Sequence, residues 1–263
     1  MRSDRPVGAI TRGTTNPNRL RRCDRWLTGP QAWRLRQTDR PPVAIDLGFG
    51  ASPVTAVELH QRLRRVRADA QVVGLEIDLD RVRAALPLER PGLTFRHGGF
   101  EIPVPGQVEV VRAFNVLRQY DESQVRGAWD RVRERLAPRG LLVDGTCDEI
   151  GRLSSWIAVD HIGPISLTIS VRLAGLEDPS IVAERLPKAL IHRNVPGERI
   201  HQLLRDLGDA WAHASPHAAY GARQRFIVTA RTLRDAGWPV LDGPHRWRLG
   251  ELGVAWHAVA PRP

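Results

Sequence analysis

Residues 43–50 read Val-Ala-Ile-Asp-Leu-Gly-Phe-Gly, a short apolar run that ends in an aspartate and a glycine turn. Such a run predicts a strand that is buried on both faces of a parallel sheet. The two glycines predict a tight turn, because glycine adopts backbone conformations that strain other residues. A helical pattern follows at 54–66. The order of strand, glycine turn and helix therefore indicates the start of an α/β domain.

The same alternation of strand and helix continues to about residue 145. A second strand is predicted at 71–77, and a second helix at 80–86 is ended by Pro87. The other elements predicted in this stretch are strands at 93–96, 108–114 and 141–144 and a helix at 122–136. Successive units of this kind predict a Rossmann-like, mostly parallel twisted sheet with helices on both faces.

The two ends of the chain follow other patterns. Residues 1–40 form a basic, partly helical N-terminal extension, and residues 41–263 form the main domain. We divide that domain into a cofactor-binding half, 43–145, and a substrate-side α+β elaboration, 146–263. The elements predicted in the elaboration are alternating segments at 154–159 and 165–173, helices at 181–190, 197–212 and 224–236, and a last strand at 253–259.

Composition limits the class of protein. Hydrophobic residues make up 42% of the chain and charged residues 26%, as in folded soluble domains. The sequence has neither an apolar stretch long enough to span a membrane nor the apolar core of a secretory signal. We therefore expect a cytoplasmic protein without membrane contact. Cys23 and Cys147 are too few for a disulfide framework.

The chain has a formal net charge of +10, which would attract polyanions. Residues 19–40 alone contain seven arginines, interleaved with apolar residues at helical spacing. One interpretation is an amphipathic helix that packs on the main domain and turns a solvated arginine face outward. The other is an arm that contacts the substrate or caps a cofactor.

An acid at the end of the second strand points to a nucleotide site. This strand ends in Gly74-Leu75-Glu76, and a carboxylate at this position can accept hydrogen bonds from both ribose hydroxyls of an adenosine. The glycine turn alone would also suit a nicotinamide dehydrogenase, although Pro53 stands at the usual third glycine position. Turn and acid together favour a bound nucleoside.

Here the sequence resembles the class I S-adenosylmethionine-dependent methyltransferase family, whose first motif is an acid followed by a G-x-G turn. Asp46-Leu47-Gly48-Phe49-Gly50 matches that motif. Phe114-Asn115-Val116-Leu117 is similar to the family's segment after the fourth strand, and residues 136–143 are similar to its turn before the fifth. The resemblance covers about 43–145 and implies S-adenosyl-L-methionine as cofactor and S-adenosyl-L-homocysteine as product.

The resemblance also implies roles for individual residues. The glycine turn would lie against the methionine part of the cofactor, Glu76 would hold the ribose, and Asp46 would organise the turn. Two departures from the family are Ser52 at the third loop position and the lack of an acid in 97–100. The full set of residues implied to contact the cofactor is Asp46, Gly48, Phe49, Gly50, Glu76, Gly99, Phe100 and Asn115.

Methyl transfer requires no metal, and we expect no metal site in this chain. Asp209, His213 and His217 have helical spacing, but Pro216 interrupts the helix. Asn115 and Tyr120 are the candidate catalytic residues, because they follow the predicted fourth strand. Two aspartates near the end of the fifth strand, Asp144 and Asp148, are further possible bases.

Three functions remain open from the sequence, and a fourth is a minor alternative. The first is methyl transfer to a small molecule, and the second is methyl transfer to RNA or another polyanion through the basic arm. The third is cofactor binding without catalysis, and the minor alternative is an NAD-dependent oxidoreductase. The acceptor, the methylated atom and the oligomeric state are not indicated.

Overall fold

A computed structural model describes residues 6–10 and 15–262. It divides the chain into two compact units. The first unit comprises residues 1–151 with 159–163, and the second comprises residues 152–158 with 164–263. The described part of the N-terminal extension and the whole of 43–145 belong to the first unit.

The first unit is built on five parallel strands. In chain order they are β1 (Val43–Leu47), β2 (Gln71–Glu76), β3 (Leu93–His97), β4 (Val108–Phe114) and β5 (Leu136–Cys147). Hydrogen-bonded neighbours follow the order β3-β2-β1-β4-β5, and each neighbouring pair is parallel. Every residue of β4 is buried. This arrangement confirms the predicted Rossmann-like α/β fold, in which the carboxyl ends of β1, β2 and β4 share one edge.

Five α-helices accompany these strands in the part of the first unit that the structure describes. They are α1 (Arg21–Thr28), α2 (Ala32–Arg36), α3 (Val54–Arg64), α4 (Leu79–Ala85) and α5 (Glu122–Arg133). The Asp78 carboxylate accepts hydrogen bonds from two backbone amides in the first turn of α4, and a capping box of Asp121 and Gln124 begins α5. Local capping chemistry therefore sets where the last two helices start.

The fifth strand is longer than predicted. We expected it at 141–144, after a turn at Pro138-Arg139-Gly140, but it begins at Leu136 and ends at Cys147. Leu136 pairs with Val108 and Leu141 with Val110, so the register shifts between these pairs. The residues expected to form a turn instead form an irregularity within β5, because the chain pairs with β4 both before and after them.

The second unit contains strands β6 (Leu153–Val159), β7 (Pro164–Val171) and β8 (Glu251–Ala255). Its helices are α6 (Lys188–Ile191), α7 (Arg199–His213), α8 (Ala222–Asp235) and α9 (Pro244–Trp247). Strands β7 and β8 are antiparallel. The last strand was predicted at 253–259, but it ends at Ala255 because Trp256–Ala258 forms a 3-10 turn. The α+β pattern predicted for this half is present.

Candidate functional site

The turn after β1 brings backbone atoms to the carboxyl edge of the parallel strands. Gly48 and Gly50 have φ angles of 67° and 80°, in the left-handed region that favours glycine. The Gly48 amide donates to the Leu75 carbonyl at 2.8 Å, which fixes the turn beside the end of β2. Because α3 begins at Val54, the turn leads into a helix N-terminus, where backbone amides favour electron-rich groups.

Glu76 ends β2 and holds this turn in place. Its carboxylate is buried, and its Oε2 accepts a hydrogen bond from the Gly50 amide at 2.9 Å. Its Oε1 accepts from the Ile77 amide at 2.9 Å and from the Asp78 amide at 3.3 Å. A carboxylate oxygen accepts about two hydrogen bonds. About one hydrogen-bond acceptor position therefore remains on Oε2, which also forms an ion pair with Arg81 at 3.6 Å.

Asp46, at the end of β1, belongs to a buried ionic network. Its Oδ1 accepts from Arg112 Nε at 3.0 Å, and its Oδ2 accepts from the Thr55 hydroxyl at 2.9 Å. Arg112 is wholly buried on β4 and also pairs with Asp24 of α1, which in turn pairs with Arg62 of α3. Burial raises the pKa of Asp46, an effect that Arg112 and Thr55 oppose. The network joins α1 to the end of β1.

Two pockets lie against this edge of the first unit. The first pocket has a volume of about 490 Å³ and is lined by Thr15, Arg19, Leu20, Asp46, Leu47, Gly48, Phe49, Gly50, Thr55, Phe114 and Asn115. The second pocket has a volume of about 250 Å³ and is lined by Val7, Gly8, Ala9, Leu47, Gly48, Glu76, Ile77, Gly98, Gly99, Phe100, Val116 and Tyr120. Leu47 and Gly48 line both pockets. The eight residues assigned to the cofactor from the sequence and Tyr120 each line one or both of them.

The N-terminal segment Val7–Ala9 forms part of the second pocket. The Val7 carbonyl accepts from the Phe100 amide at 3.0 Å, and the Val7 amide donates to Glu101 Oε2 at 2.8 Å. Glu101 Oε1 also accepts from the Gly99 amide at 2.8 Å. A Cβ on Gly99 would lie 2.1 Å from the Val7 carbonyl oxygen. Glycine at this position is therefore required for the close approach of the N-terminal segment.

Residues 15–20 form part of the first pocket. The Thr15 hydroxyl donates to the Phe49 carbonyl at 3.0 Å, and Arg19 Nε donates to the Asp148 carbonyl at 2.9 Å. The described parts of the N-terminal extension therefore line both pockets. The arm therefore does more than pack on the domain, because its residues line the same pockets as the glycine turn.

Asn115 follows β4 and lines the first pocket. Its φ angle of 58° is unusual for a residue with a side chain. The Asn115 carboxamide oxygen accepts from the Cys147 amide at 3.0 Å, and its Nδ2 lies 3.6 Å from the Cys147 sulfur. The contacts with Cys147 at the end of β5 thus stabilise a backbone conformation of Asn115 that is otherwise costly.

Tyr120 lines the second pocket and not the first. Its hydroxyl accepts a hydrogen bond from the Ala9 amide, and its ring meets Phe100 edge to face with centroids 5.6 Å apart. Burial raises the pKa of Tyr120, which makes the phenol a poor base at neutral pH. The two candidate catalytic residues of the sequence therefore line different pockets.

Phe49 contributes to the first pocket mainly through its backbone, because its side chain is buried elsewhere. Its ring is buried and meets Phe95 edge to face with centroids 5.4 Å apart. A Cβ on Gly74 would lie within 3.0 Å of both rings. The Phe49 side chain therefore packs beneath the turn that it belongs to.

The two aspartates considered near the end of β5 do not line either pocket. Asp144 is buried and accepts a hydrogen bond from Trp129 Nε1 at 3.0 Å. Burial raises the pKa of Asp144 to about 7. Asp148 contributes its carbonyl to the contact with Arg19.

Several contributors to the site were not assigned to it from the sequence. Among them are Val7, Thr15 and Arg19, which line the pockets, and Glu101, which accepts hydrogen bonds from the Val7 and Gly99 amides. Glu101 is an acid one position beyond 97–100, where we looked for the family's adenine contact, and its place after two glycines was a usable signal. The N-terminal residues carry no such pattern, because tertiary contacts alone bring them to the pockets.

The part of the chain that the structure describes has neither a membrane-spanning helix nor a cluster of metal-binding side chains. No helix there combines the length and apolarity needed to cross a membrane. Among the same residues, no three His, Cys, Asp or Glu side chains are grouped so as to bind a metal ion.

Comparison with known proteins gives only distant similarities. No family model matches the chain, and no curated protein matches it. The solved structures that resemble it include the CMeT domain of the citrinin polyketide synthase, with 17% identity and a TM-score of 0.35 over 43% of this chain. The chain spans 31% of that protein's length.

Two further structures have similar scores. Magnesium protoporphyrin IX methyltransferase from Synechocystis PCC 6803, with bound SAH, is 17% identical with a TM-score of 0.35 over 53% of this chain and 64% of its own. The plantazolicin methyltransferase BpumL, in complex with a triazolic desmethylPZN analogue and SAH, is 10% identical with a TM-score of 0.37 over 48% of this chain and 47% of its own. The last two are methyltransferases by name.

Proposed function

We propose that the first unit binds S-adenosyl-L-methionine and that the chain transfers its methyl group to a small-molecule acceptor. The observation that carries the proposal is the hydrogen bond between the Glu76 carboxylate and the Gly50 amide. It sets an acid at the end of β2 beside the left-handed glycine turn after β1. That pairing suits a nucleoside whose ribose meets the acid and whose remaining part lies along the turn.

The acceptor capacity of Glu76 supports this assignment. Three backbone amides occupy three of about four acceptor positions on its carboxylate. A ribose hydroxyl would take the position left on Oε2. Glu76 would thus have two tasks, holding the Gly50 turn and binding the ribose.

The two pockets suit a molecule with a base at one end and an amino acid at the other. Phe100 and Tyr120 give the second pocket aromatic walls, whereas Asp46 and Arg19 give the first pocket charged ones. They meet at Gly48, where the chain has no side chain to separate them. An extended ligand that passes Gly48 would reach both.

The chain's own part in catalysis would be orientation and exclusion of water. When bound, the cofactor supplies a methyl group made electrophilic by its sulfonium, so the protein has mainly to align a nucleophile and keep the site dry. Tyr120, with its raised pKa, would stay protonated and donate a hydrogen bond. Asn115 has no ionisable group and would orient the acceptor. Neither is proposed as a general base.

The contacts of the basic arm favour a small acceptor over RNA. Arg22 is buried and its Nε donates to the Gly151 carbonyl at 3.0 Å. Arg34 donates to the Arg139 carbonyl, and Arg40 pairs with Glu109. Guanidinium groups engaged within the fold are less available to a phosphate backbone.

Calorimetric titration with S-adenosylmethionine, S-adenosylhomocysteine and NAD tests the cofactor. We expect saturable binding of the first two alone, and weakening by about ten- to a hundredfold in Glu76→Ala, because charge-assisted hydrogen bonds are lost. The control is Asp80→Ala, which removes an exposed carboxylate on α4. Binding of NAD alone, or an unchanged affinity in Glu76→Ala, would contradict the proposal.

Incorporation of tritium from methyl-labelled cofactor tests the acceptor. Label in the low-mass fraction of a cell extract, insensitive to ribonuclease, is the expected result. Label in RNA, with binding that weakens steeply as salt rises, would favour the polyanion instead. Cofactor binding without label in either fraction would indicate a binding protein without catalysis.

A further inference from the structure

A third pocket lies wholly within the second unit. It has a volume of about 750 Å³ and is lined by residues 152–153, 172, 174–178 and 181. Sites for small molecules typically enclose about 300–1,000 Å³ and combine apolar walls with a few polar groups. None of these residues lines the first or the second pocket. The proposed function therefore makes no use of them.

The walls of the third pocket include aliphatic side chains that the fold leaves partly uncovered. Ile181 is 44% exposed, and Leu153 and Leu176 are only partly buried. Single exposed apolar side chains are common on protein surfaces, but here three of them share one concave surface. Such a surface suits an aliphatic group, because removing apolar area from water favours binding.

Two charges of opposite sign line the same pocket without touching. Among the described residues, the side chains of Arg172 and Glu177 have no ion-pair or hydrogen-bond partner, and they do not pair with each other. A ligand with a charge at each end can bridge two such groups. The other charged residues that line the pocket, Arg152 and Asp178, are also of opposite sign. The pocket therefore favours a ligand without net charge over a simple anion.

The backbone that carries these two charges is held at both ends of the intervening loop. The Arg172 amide donates to the Arg152 carbonyl at 2.8 Å. The Glu177 carbonyl accepts a hydrogen bond from Trp211 Nε1 at 2.6 Å. All four residues belong to the second unit. The pocket is therefore formed in advance, and a ligand has little chain to order on binding.

We infer that the third pocket binds a small zwitterion with an aliphatic body, an amino acid of the leucine type. Arg172 binds its carboxylate, and Glu177 binds its ammonium group. Its aliphatic side chain lies against Leu153, Leu176 and Ile181. The inference goes beyond the proposed function and does not rest on it.

Four ligands that differ by one group each test the inference on the wild-type chain. L-Leucine carries both charges and an aliphatic side chain. N-acetyl-L-leucine lacks the ammonium charge, L-leucinamide lacks the carboxylate, and glycine lacks the side chain. In NMR titrations we expect L-leucine to bind saturably, with a Kd of about 1 mM or below. Each of the other three should bind at least about fivefold more weakly.

Matched variants assign the two charged groups. Arg172→Gln should weaken L-leucine binding at least about fivefold but leave the affinity for L-leucinamide, which has no carboxylate, within about twofold. Glu177→Gln should weaken L-leucine binding by a similar factor but leave the affinity for N-acetyl-L-leucine within about twofold. The control is Arg231→Gln, which removes an exposed arginine of α8 and should change none of these affinities. All three side chains are exposed, so the variants should keep the fold.

Each outcome decides the inference. The expected pattern supports it, and absence of saturable L-leucine binding to the wild-type chain up to about 10 mM would overturn it. It would also be overturned if glycine bound as tightly as L-leucine, if Arg172→Gln left L-leucine binding unchanged or weakened L-leucine and L-leucinamide equally, or if Arg231→Gln had the same effect. Titration of the same preparations with S-adenosylhomocysteine tests the proposed function separately, so the failure of one is distinguishable from the failure of the other.

Discussion

Substitution of Gly99 by alanine would separate the N-terminal segment from the second pocket. The added Cβ would lie 2.1 Å from the Val7 carbonyl oxygen, and a backbone atom cannot yield as a flexible side chain does. The backbone of Gly99 is not in the left-handed region, so the substitution acts only through the steric clash of the added Cβ. The variant should break the contact of Val7 with the Phe100 amide and strain its contact with Glu101.

The size of the effect follows from these two contacts. A neutral backbone hydrogen bond contributes about 0.5–1.5 kcal/mol, and one to a carboxylate about 1.5–3 kcal/mol. Ordering the segment costs roughly 1–2 kcal/mol for each residue, so its net docking energy is small. We therefore expect less than about 1 kcal/mol loss in unfolding free energy, but about a tenfold loss in S-adenosylhomocysteine affinity, since 1.4 kcal/mol is tenfold.

Calorimetry and urea unfolding would measure the two quantities on the same preparations. Gly127→Ala is the matched control, because Gly127 lies in α5 with no atom within 4 Å of an added Cβ. Alanine there should stabilise the protein by about 0.5–1 kcal/mol and leave affinity unchanged. The reasoning is refuted if Gly99→Ala binds S-adenosylhomocysteine within about twofold of the wild-type affinity.

Two further predictions concern buried charges. Arg112→Met leaves Asp24 and Asp46 buried without their shared partner and should cost about 3–5 kcal/mol in urea unfolding. The exposed Arg83→Met should change stability by at most about 0.5 kcal/mol, and equal effects would contradict the buried network. Because burial raises the folded pKa of Asp144 to about 7, the stability it contributes is full below about pH 4 and is lost as pH rises to about 7. The unfolding free energy of Asp144→Asn should therefore rise relative to that of the wild-type chain by up to about 4 kcal/mol across that pH range. Parallel pH profiles of the two proteins would exclude this effect.

The sequence was most informative where local pattern and burial coincide. The apolar run of β1 predicted a buried parallel strand because nearly all of its residues face the core. The position of Glu76 beside the glycine turn could be predicted, because it depends only on where the neighbouring strands β1 and β2 end. Contacts between neighbouring strands repeat from protein to protein, so short motifs predict them.

The remaining features depend on contacts between distant parts of the chain. Arg22 was expected on the solvated arginine face, yet it is buried, since its partner Gly151 is far away in sequence. Asp24 carried no signal in the sequence, and it is buried against Arg112, which is equally distant. The turn expected before β5 proved to be an irregularity within it, because pairing with β4 on both sides outweighs the local preference of proline and glycine.

The buried Asp24–Arg112–Asp46 network affects how the molecule opens. If α1 detached from the first unit, the buried Arg112 would lose its partner Asp24, at a cost that fraying of an ordinary terminal helix does not incur. Amide hydrogens of α1 should therefore exchange only with the cooperative opening of β1 and β4. Thr15 and Arg19 directly precede this anchored helix, so the wall they form is preorganised and a ligand has less chain to order on binding.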